Sequence, residues 1–327
     1  MNASEIATEL RQWDIGPVLE NEPLSRHTSF RIGGPASVYV QPNSQEDLIQ
    51  ILNWVDQHQI PFFVLGQGTN VLVSDLGLDA VVISTSRALR HILVDQERIV
   101  AGAGVLLTKL AHKAHQAALQ GLEFAVSIPG TLGGALVMNA GAHGSEMRNI
   151  VEQIRVWEPG YGIKTLSATD AGFEYRRSQF MVRHWIALEA SMTLKHGDMH
   201  AILDNMRHFM DYRKRTQPVG DANAGSVFKN PHPDYAGRLI ESIGAKGWHV
   251  GDAVVSPVHA NFIVNRGKAK ARDVLTLMRR IRCHVFQRYH IVLRPEVRWI
   301  GPGEGGTEGT WENLWYGEGG GLQEPCE

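Results

Sequence analysis

Hydrophobic and polar positions along the 327-residue chain change period several times. ASVYVQP (36–42) alternates as a half-buried strand does, and after Ser44 the pattern switches to a helical period, with Leu48, Leu52 and Val55 on one face. Ser44 with Asp47 three residues later resembles a capping box at the start of that helix. A second strand is expected over 62–65, bounded by Pro61 and a GQGTN turn, and VLVSD resumes as a strand beyond it. Residues 1–82 therefore read as a compact βαβ-like lobe.

From there short strands dominate: VVIST, HILVD and RIVAGAGV, then a helix (LLTKLAHKAHQAALQ) and a long glycine-rich loop, SIPGTLGGALVMNAGAHG. IRVWEP and IKTLS pair across a Pro-Gly-Tyr-Gly turn, and WIALEASMTL closes a second, strand-rich lobe over 83–197. A helix over about 201–215 opens the third region, 198–300. It holds the loop NAGSVFKNP, a helix in DYAGRLIESIG, strands in HVGDAVVSP and ANFIVN, and a long helix with Val274, Met278, Ile281 and Val285 as a core stripe. The strand IVLRPEVRWI ends the folded part. Residues 301–327 are glycine-rich, acidic and without periodicity, and read as disordered or loosely attached; Trp311 and Trp315, four apart, could dock on something, though an appendage with incidental aromatics is the favoured reading.

Composition adds exclusions. An apolar fraction of 43% with 20% charged residues is that of a folded soluble protein, and a net charge of -2 gives no general attraction to nucleic acid or anionic membrane. No apolar run is long enough to span a bilayer, and the N-terminus lacks the apolar core of a signal peptide. Two cysteines, Cys283 and Cys326, form neither a framework nor a C-x-x-C motif, which suits a reducing cytoplasm.

The chemistry is concentrated in loops. GQGTN (66–70) offers glycine backbone with Thr69 and Asn70 side chains as a diphosphate cradle, though a plain hairpin turn explains its glycines as well. It is neither a Walker A loop nor a Rossmann fingerprint. The glycine density of 127–144, with Thr131 and Asn139, suggests that a planar or phosphorylated ligand approaches the backbone closely. In FEYRRSQF (173–180), if it is a strand, Arg176 shares a face with Ser178. Glu296 stands between Arg294 and Arg298 in LRPEVRWIG, where a solvated edge strand is the simpler reading. His112 and His115 lack further ligands at metal-site spacing, so no metal is expected. Ser226 in NAGSVFKNP has no elbow glycine two positions on, and His232 and His259 have no evident acidic partner, which weakens a serine hydrolase.

HTSFRIGG, VLGQGTNVLVSD, GLEFAVSIPGTLGGALVMNAGAHG, FEYRRSQF, NAGSVFKNP, VSPVHANFIVN and LRPEVRWIG follow one another along the chain. In that order they resemble the UDP-N-acetylenolpyruvoylglucosamine reductase family, over about residues 20–301. The resemblance implies an α+β fold, with a two-lobed FAD-binding domain of the vanillyl-alcohol-oxidase/PCMH type and a C-terminal α/β substrate-binding domain. It implies the shorter class, without a substrate-capping tyrosine loop.

The implied activity is NADPH-dependent, FAD-mediated reduction of the enolpyruvyl ether of UDP-N-acetylglucosamine enolpyruvate to UDP-N-acetylmuramate, by a cytoplasmic, monomeric enzyme of peptidoglycan precursor synthesis. By motif match Ser226 is the proton donor, and Arg176 and Glu296 stabilise the enolate. A glutamate beside an anion must be protonated or orient a donor. Lys229, three residues from Ser226, faces away from it in an extended strand. Gly66, Gln67, Gly68, Thr69 and Asn70, with Pro129, Gly130, Thr131, Gly133 and Gly134, are expected to line FAD, and Asn230 and Lys214 to bind substrate. His27 and His143 stand where asparagine and tyrosine are expected, and residues 301–327 have no counterpart in the family. The competing readings are another flavoprotein of the same fold and a non-enzymatic nucleotide-sugar binding protein.

Overall fold

The computed structural model describes residues 1–301, so the appendage with Trp311 and Trp315 lies outside the described residues. Packing divides the chain into two compact units. The first comprises Met1–Glu20, Val38–Gln67 and Val81–Arg215; the second comprises Asn21–Ser37, Gly68–Ala80 and the chain from Thr216 onward. The expected domains run consecutively, whereas each of these units is assembled from three separate stretches.

A four-stranded sheet runs in the order Val18–Pro23, Pro35–Val40, Leu78–Ser84, Phe62–Leu65. Its last two strands are parallel, with Phe62 opposite Val81 and Leu65 opposite Ser84. In the first unit, the helix Gln45–Gln57 starts as its sequence requires: Ser44 Oγ accepts from Asp47 N and Asp47 returns the bond to Ser44 N. Leu48, Ile51, Leu52 and Val55 are fully buried along its inner face. A five-stranded antiparallel sheet follows in the order Gly162–Ser167, Val151–Glu158, Ile186–Thr193, Arg98–Gly102, Ile92–Asp95. Trp157, on its second strand, is buried and donates its indole N–H to Asn53 Oδ1 at 2.8 Å. That bond satisfies the polar edge of a large core residue.

In the second unit, three short antiparallel strands, His249–Val250, Ala253–Val255 and Ile263–Asn265, share a core with the helix Ala271–Tyr289. Val274, Met278, Ile281 and Val285 are buried as the helical period predicts. The early stretches belong here for physical reasons. Phe30, Ile32 and Leu72 sit in the same hydrophobic cluster, and Asp75 caps the long helix by accepting from Ala271 N (2.8 Å) and Arg272 N (3.1 Å). The strand expected over 291–300 is shorter: only Arg298–Ile300 is a strand, and it pairs in parallel with Val71–Val73. Pro295 lacks an N–H for a ladder, and the chain around Glu296 is irregular.

Candidate functional site

In the second unit, NAGSVFKNP forms a turn followed by an extended stretch. Asn223 Oδ1 accepts from Gly225 N at 2.9 Å, and Gly225 adopts φ +77°, a conformation glycine takes without strain. Ala224 and Val227 on either side are buried, so the half-buried Ser226 is carried on a short span between two packed residues. Val227 N donates to Asn261 O and Val227 O accepts from Glu296 N, both at 2.8 Å. Glu296 is thus held by one backbone hydrogen bond against Val227, the residue that follows Ser226. Lys229 is fixed separately, donating from its backbone to Arg294 O at 2.8 Å.

Asn230 is exposed, and its Oδ1 accepts from Ala236 N at 3.1 Å at the start of the helix Ala236–Ser242. With the oxygen held there, the amide nitrogen is oriented as the group left to meet a ligand. Asn261 and His259 are not in the expected set, and they support this loop. Asn261 brackets buried Phe228 through both its backbone groups. His259 Nδ1 accepts from Asn261 N at 3.2 Å, so its proton sits on Nε2; burial, then Lys246, lowers its pKa, against a smaller upward effect of Glu241.

The second half of GQGTN also lies in this unit. Gly68 is buried at φ +60°, and an added Cβ would meet His27 O at 2.3 Å. Asn70 donates from Nδ2 to Glu296 O at 3.3 Å and accepts from Arg298 N at 3.0 Å, which ties the turn to the glutamate segment. His27 pairs through Nε2 with Glu22 Oε1 at 3.0 Å.

In the first unit, the strand Phe62–Leu65 leads to Gly66, where an added Cβ would lie 2.6 Å from Thr131 Oγ1. Thr131 caps the helix Leu132–Met138 by accepting from Gly134 N, while Leu132 N and Gly133 N donate to Val105 O and Ala103 O at 2.8 Å. The amides of that helix start are therefore spent inside the protein. What Gly66 and the Gly130–Gly134 loop offer a ligand is flat, close backbone. The carbonyls of Gly68 and Gly130 are turned onto protein donors, Ser29 N and Leu107 N, both at 3.0 Å. Gly66 and Gly68, which admit no side chain, and the carbonyls of Gly68 and Gly130 turned onto the protein fit the FAD dinucleotide implied by the motifs. Gln67 and Pro129 are exposed beside them.

FEYRRSQF is not a strand. Glu174 and Arg177 exchange backbone hydrogen bonds around a two-residue turn, and Arg176 adopts φ +53°, strained for a side-chain-bearing residue. The glycine-rich segment holds it: buried Asn139 donates from Nδ2 to Glu174 O at 3.0 Å, and Arg176 Nη2 donates to Gly141 O at 2.8 Å. Arg176 also lies over the Tyr175 ring, 5.1 Å from its centroid. Ser178 points into the protein and donates to Val137 O at 2.7 Å, so it is structural. Arg176 and Lys214 belong to the first unit, and Ser226, Asn230 and Glu296 to the second.

Lys214 is exposed beside Asp211 at 3.8 Å on the helix Met199–Thr216, whereas its neighbour Arg213 is partly withdrawn from water and burial lowers its pKa. His143 stacks on Phe209 of the same helix, with ring centroids 4.0 Å apart. Among the described residues no group of three or more His, Cys, Asp or Glu could hold a metal ion, and no helix is long and apolar enough to cross a membrane.

Comparison with known proteins agrees with this arrangement. Residues 36–163 match the family model described as "FAD binding domain", and 217–300 match "UDP-N-acetylenolpyruvoylglucosamine reductase, C-terminal domain". The UDP-N-acetylenolpyruvoylglucosamine reductase of Caldanaerobacter subterraneus subsp. tengcongensis is 44% identical over 286 residues, 88% of this chain and 94% of that protein. The corresponding reductase of Bacillus subtilis is 40% identical over 298 residues, 91% of this chain and 98% of that protein. The crystal structure of the Thermus caldophilus reductase superimposes with a TM-score of 0.74 at 35% identity, covering 86% of this chain and 98% of that one. The fold is the α+β arrangement expected, with an FAD-binding domain followed by the C-terminal domain of the reductase family. With that fold, matched along nearly its whole described length, the chain belongs to the UDP-N-acetylenolpyruvoylglucosamine reductase family.

Proposed function

We propose that this protein reduces the enolpyruvyl ether of UDP-N-acetylenolpyruvoylglucosamine to UDP-N-acetylmuramate, using NADPH and FAD, and that Ser226, Arg176 and Glu296 carry the substrate chemistry. Family membership supports the reaction and both cofactors. The observation that carries the residue roles is the 2.8 Å bond from Glu296 N to Val227 O, which holds the glutamate segment against the residue following Ser226.

When bound, FAD would supply the hydride chemistry that links NADPH to the substrate. Hydride addition to the terminal vinyl carbon leaves an electron pair on the adjacent carbon, delocalised into its carboxylate. The Ser226 hydroxyl gives its proton to that carbon, completing the saturated lactyl ether, and takes another from water or a neighbouring group. The Arg176 guanidinium stabilises the developing enolate, and Glu296, either protonated or orienting a donor, adds to that stabilisation. Asn230, through its amide nitrogen, and Lys214 hold the diphosphate. Gly66 to Asn70 and Pro129 to Gly134 line FAD. In this reading the enzyme is a cytoplasmic monomer of peptidoglycan precursor synthesis, and so serves cell shape and division.

Purified protein is tested first for a yellow bound flavin. NADPH oxidation is then followed with and without UDP-N-acetylenolpyruvoylglucosamine. Colourless protein, or yellow protein indifferent to that substrate, would defeat the assignment. Sedimentation of the purified enzyme checks the monomer.

A further inference from the structure

Ser29 lies in the second unit, in the turn that follows Leu24–Arg26. Its hydroxyl is 2.6 Å from Asn223 O and 3.3 Å from Gly68 O, and its backbone N–H donates to Gly68 O at 3.0 Å. One hydroxyl proton is shared between two carbonyls, with the shorter contact to Asn223 dominating. One of those carbonyls belongs to the turn assigned to FAD, and the other to the first residue of the loop that carries Ser226.

Asn223 in turn sets the geometry beyond it. Its Oδ1 accepts from Gly225 N, while its Nδ2 donates to Asp221 O at 2.7 Å. Nothing lies within 4 Å of where a Gly225 side chain would project, so packing does not restrain the loop at that point. Between buried Ala224 and Val227, the course of the chain depends on hydrogen bonds, and Asn223 is where they begin.

We propose that Ser29 is a positioning residue for proton transfer: it fastens the base of the Ser226 loop to the Gly68 turn, so that the donor hydroxyl keeps a fixed place relative to the cofactor loop. The proposal rests on Ser226 being the donor. Proton transfer depends steeply on placement, and a displacement of about 1 Å can lower a rate a hundredfold. The reductive half-reaction with NADPH requires no proton from Ser226, so a fault in the tie is felt in one half-reaction and not in the other.

The test uses full-length, FAD-loaded Ser29→Ala, Ser29→Thr and Ser226→Ala. Rapid mixing measures flavin reduction by NADPH and reoxidation by UDP-N-acetylenolpyruvoylglucosamine separately, and amide hydrogen exchange is followed over Gly225 to Phe228. Ser29→Ala is expected to slow reoxidation about tenfold, leave reduction within about twofold, and speed exchange at Gly225. Ser29→Thr, which keeps the hydroxyl, restores both reoxidation and exchange. Equal slowing of the two half-reactions, no slowing of either, or a threonine variant that behaves like alanine overturns the proposal. A Ser226→Ala enzyme that reoxidises at full rate overturns the donor assignment and this proposal with it. A slow Ser226→Ala beside an unaffected Ser29→Ala overturns the positioning role alone.

Discussion

Asn261 brackets Phe228: its Oδ1 accepts from Phe228 N at 3.0 Å, and its Nδ2 donates to Phe228 O at 2.8 Å. Both residues are buried, so removing the amide leaves two backbone groups without partner or water. Asn261→Ala is expected to lower stability by about 2–4 kcal/mol, read from urea midpoints. Asn261→Asp should be at least as damaging, because it loses the donor and brings a carboxylate into a buried site.

His259 makes stability depend on pH. Burial holds its pKa below the ordinary 6.5, and its Nδ1 must stay unprotonated to accept from Asn261 N. The unfolded chain then takes up this proton before the folded one. The contribution is complete above pH 6.5 and is lost as pH falls below it. His143, lowered by burial and by His208, acts in the same direction. Melting temperatures measured from pH 8 down to about 5 should fall over this window, and His259→Gln should flatten the fall.

At Arg176, backbone strain and chemistry oppose each other. Arg176→Gly relieves a left-handed conformation, worth about 1–2 kcal/mol, and forfeits the bond to Gly141 O, worth about 1 kcal/mol. Stability should therefore change little, while single-turnover reoxidation by substrate falls about a hundredfold or more. Asn139→Gly keeps the helix C-cap geometry, at φ +40°, but releases Glu174 O and Arg148 N. It should give a milder loss, about tenfold, confined to the same half-reaction.

Glu296→Gln keeps the shape and a hydrogen-bond donor but has no ionisable proton. If the glutamate acts in its protonated form, reoxidation should slow and lose one limb of its pH profile. Full activity across the pH range would show that the proton on Glu296 has no role.

Gly68→Ala should act through the cofactor. Its Cβ would stand 2.3 Å from His27 O at a φ of +60°, so the turn must move. The purified variant should carry little flavin, measured by absorbance, with affinity for added FAD lower by about tenfold or more.

The Ser44–Asp47 cap and the Val274–Val285 stripe depend on neighbours three or four positions away, and the sequence reads them correctly. The glycine loops stand out because few other roles need so many side-chain-free positions. The turn at Arg176 does not show, since Asn139 enforces it from across the fold. The shortened strand near Glu296 depends on Val227 and Asn70, and the two-unit division on Asp75 and Leu72, all remote in sequence. Motif order supplies the chemical roles that spacing alone leaves open, because an alternating Arg-Glu-Arg edge looks the same whether or not it has a substrate.

The parallel pairing of Val71–Val73 with Arg298–Ile300 also bears on how the protein is made. On the ribosome the first strand emerges long before its partner is translated, and a strand with an open edge is a site for wrong pairing. Leu72, fully buried in the finished fold, stands opposite Trp299, near the end of the described residues. The second unit is thus the last part of the molecule to become protected. A nascent chain arrested before Arg298 would carry an incomplete unit, a client for chaperones rather than a smaller enzyme.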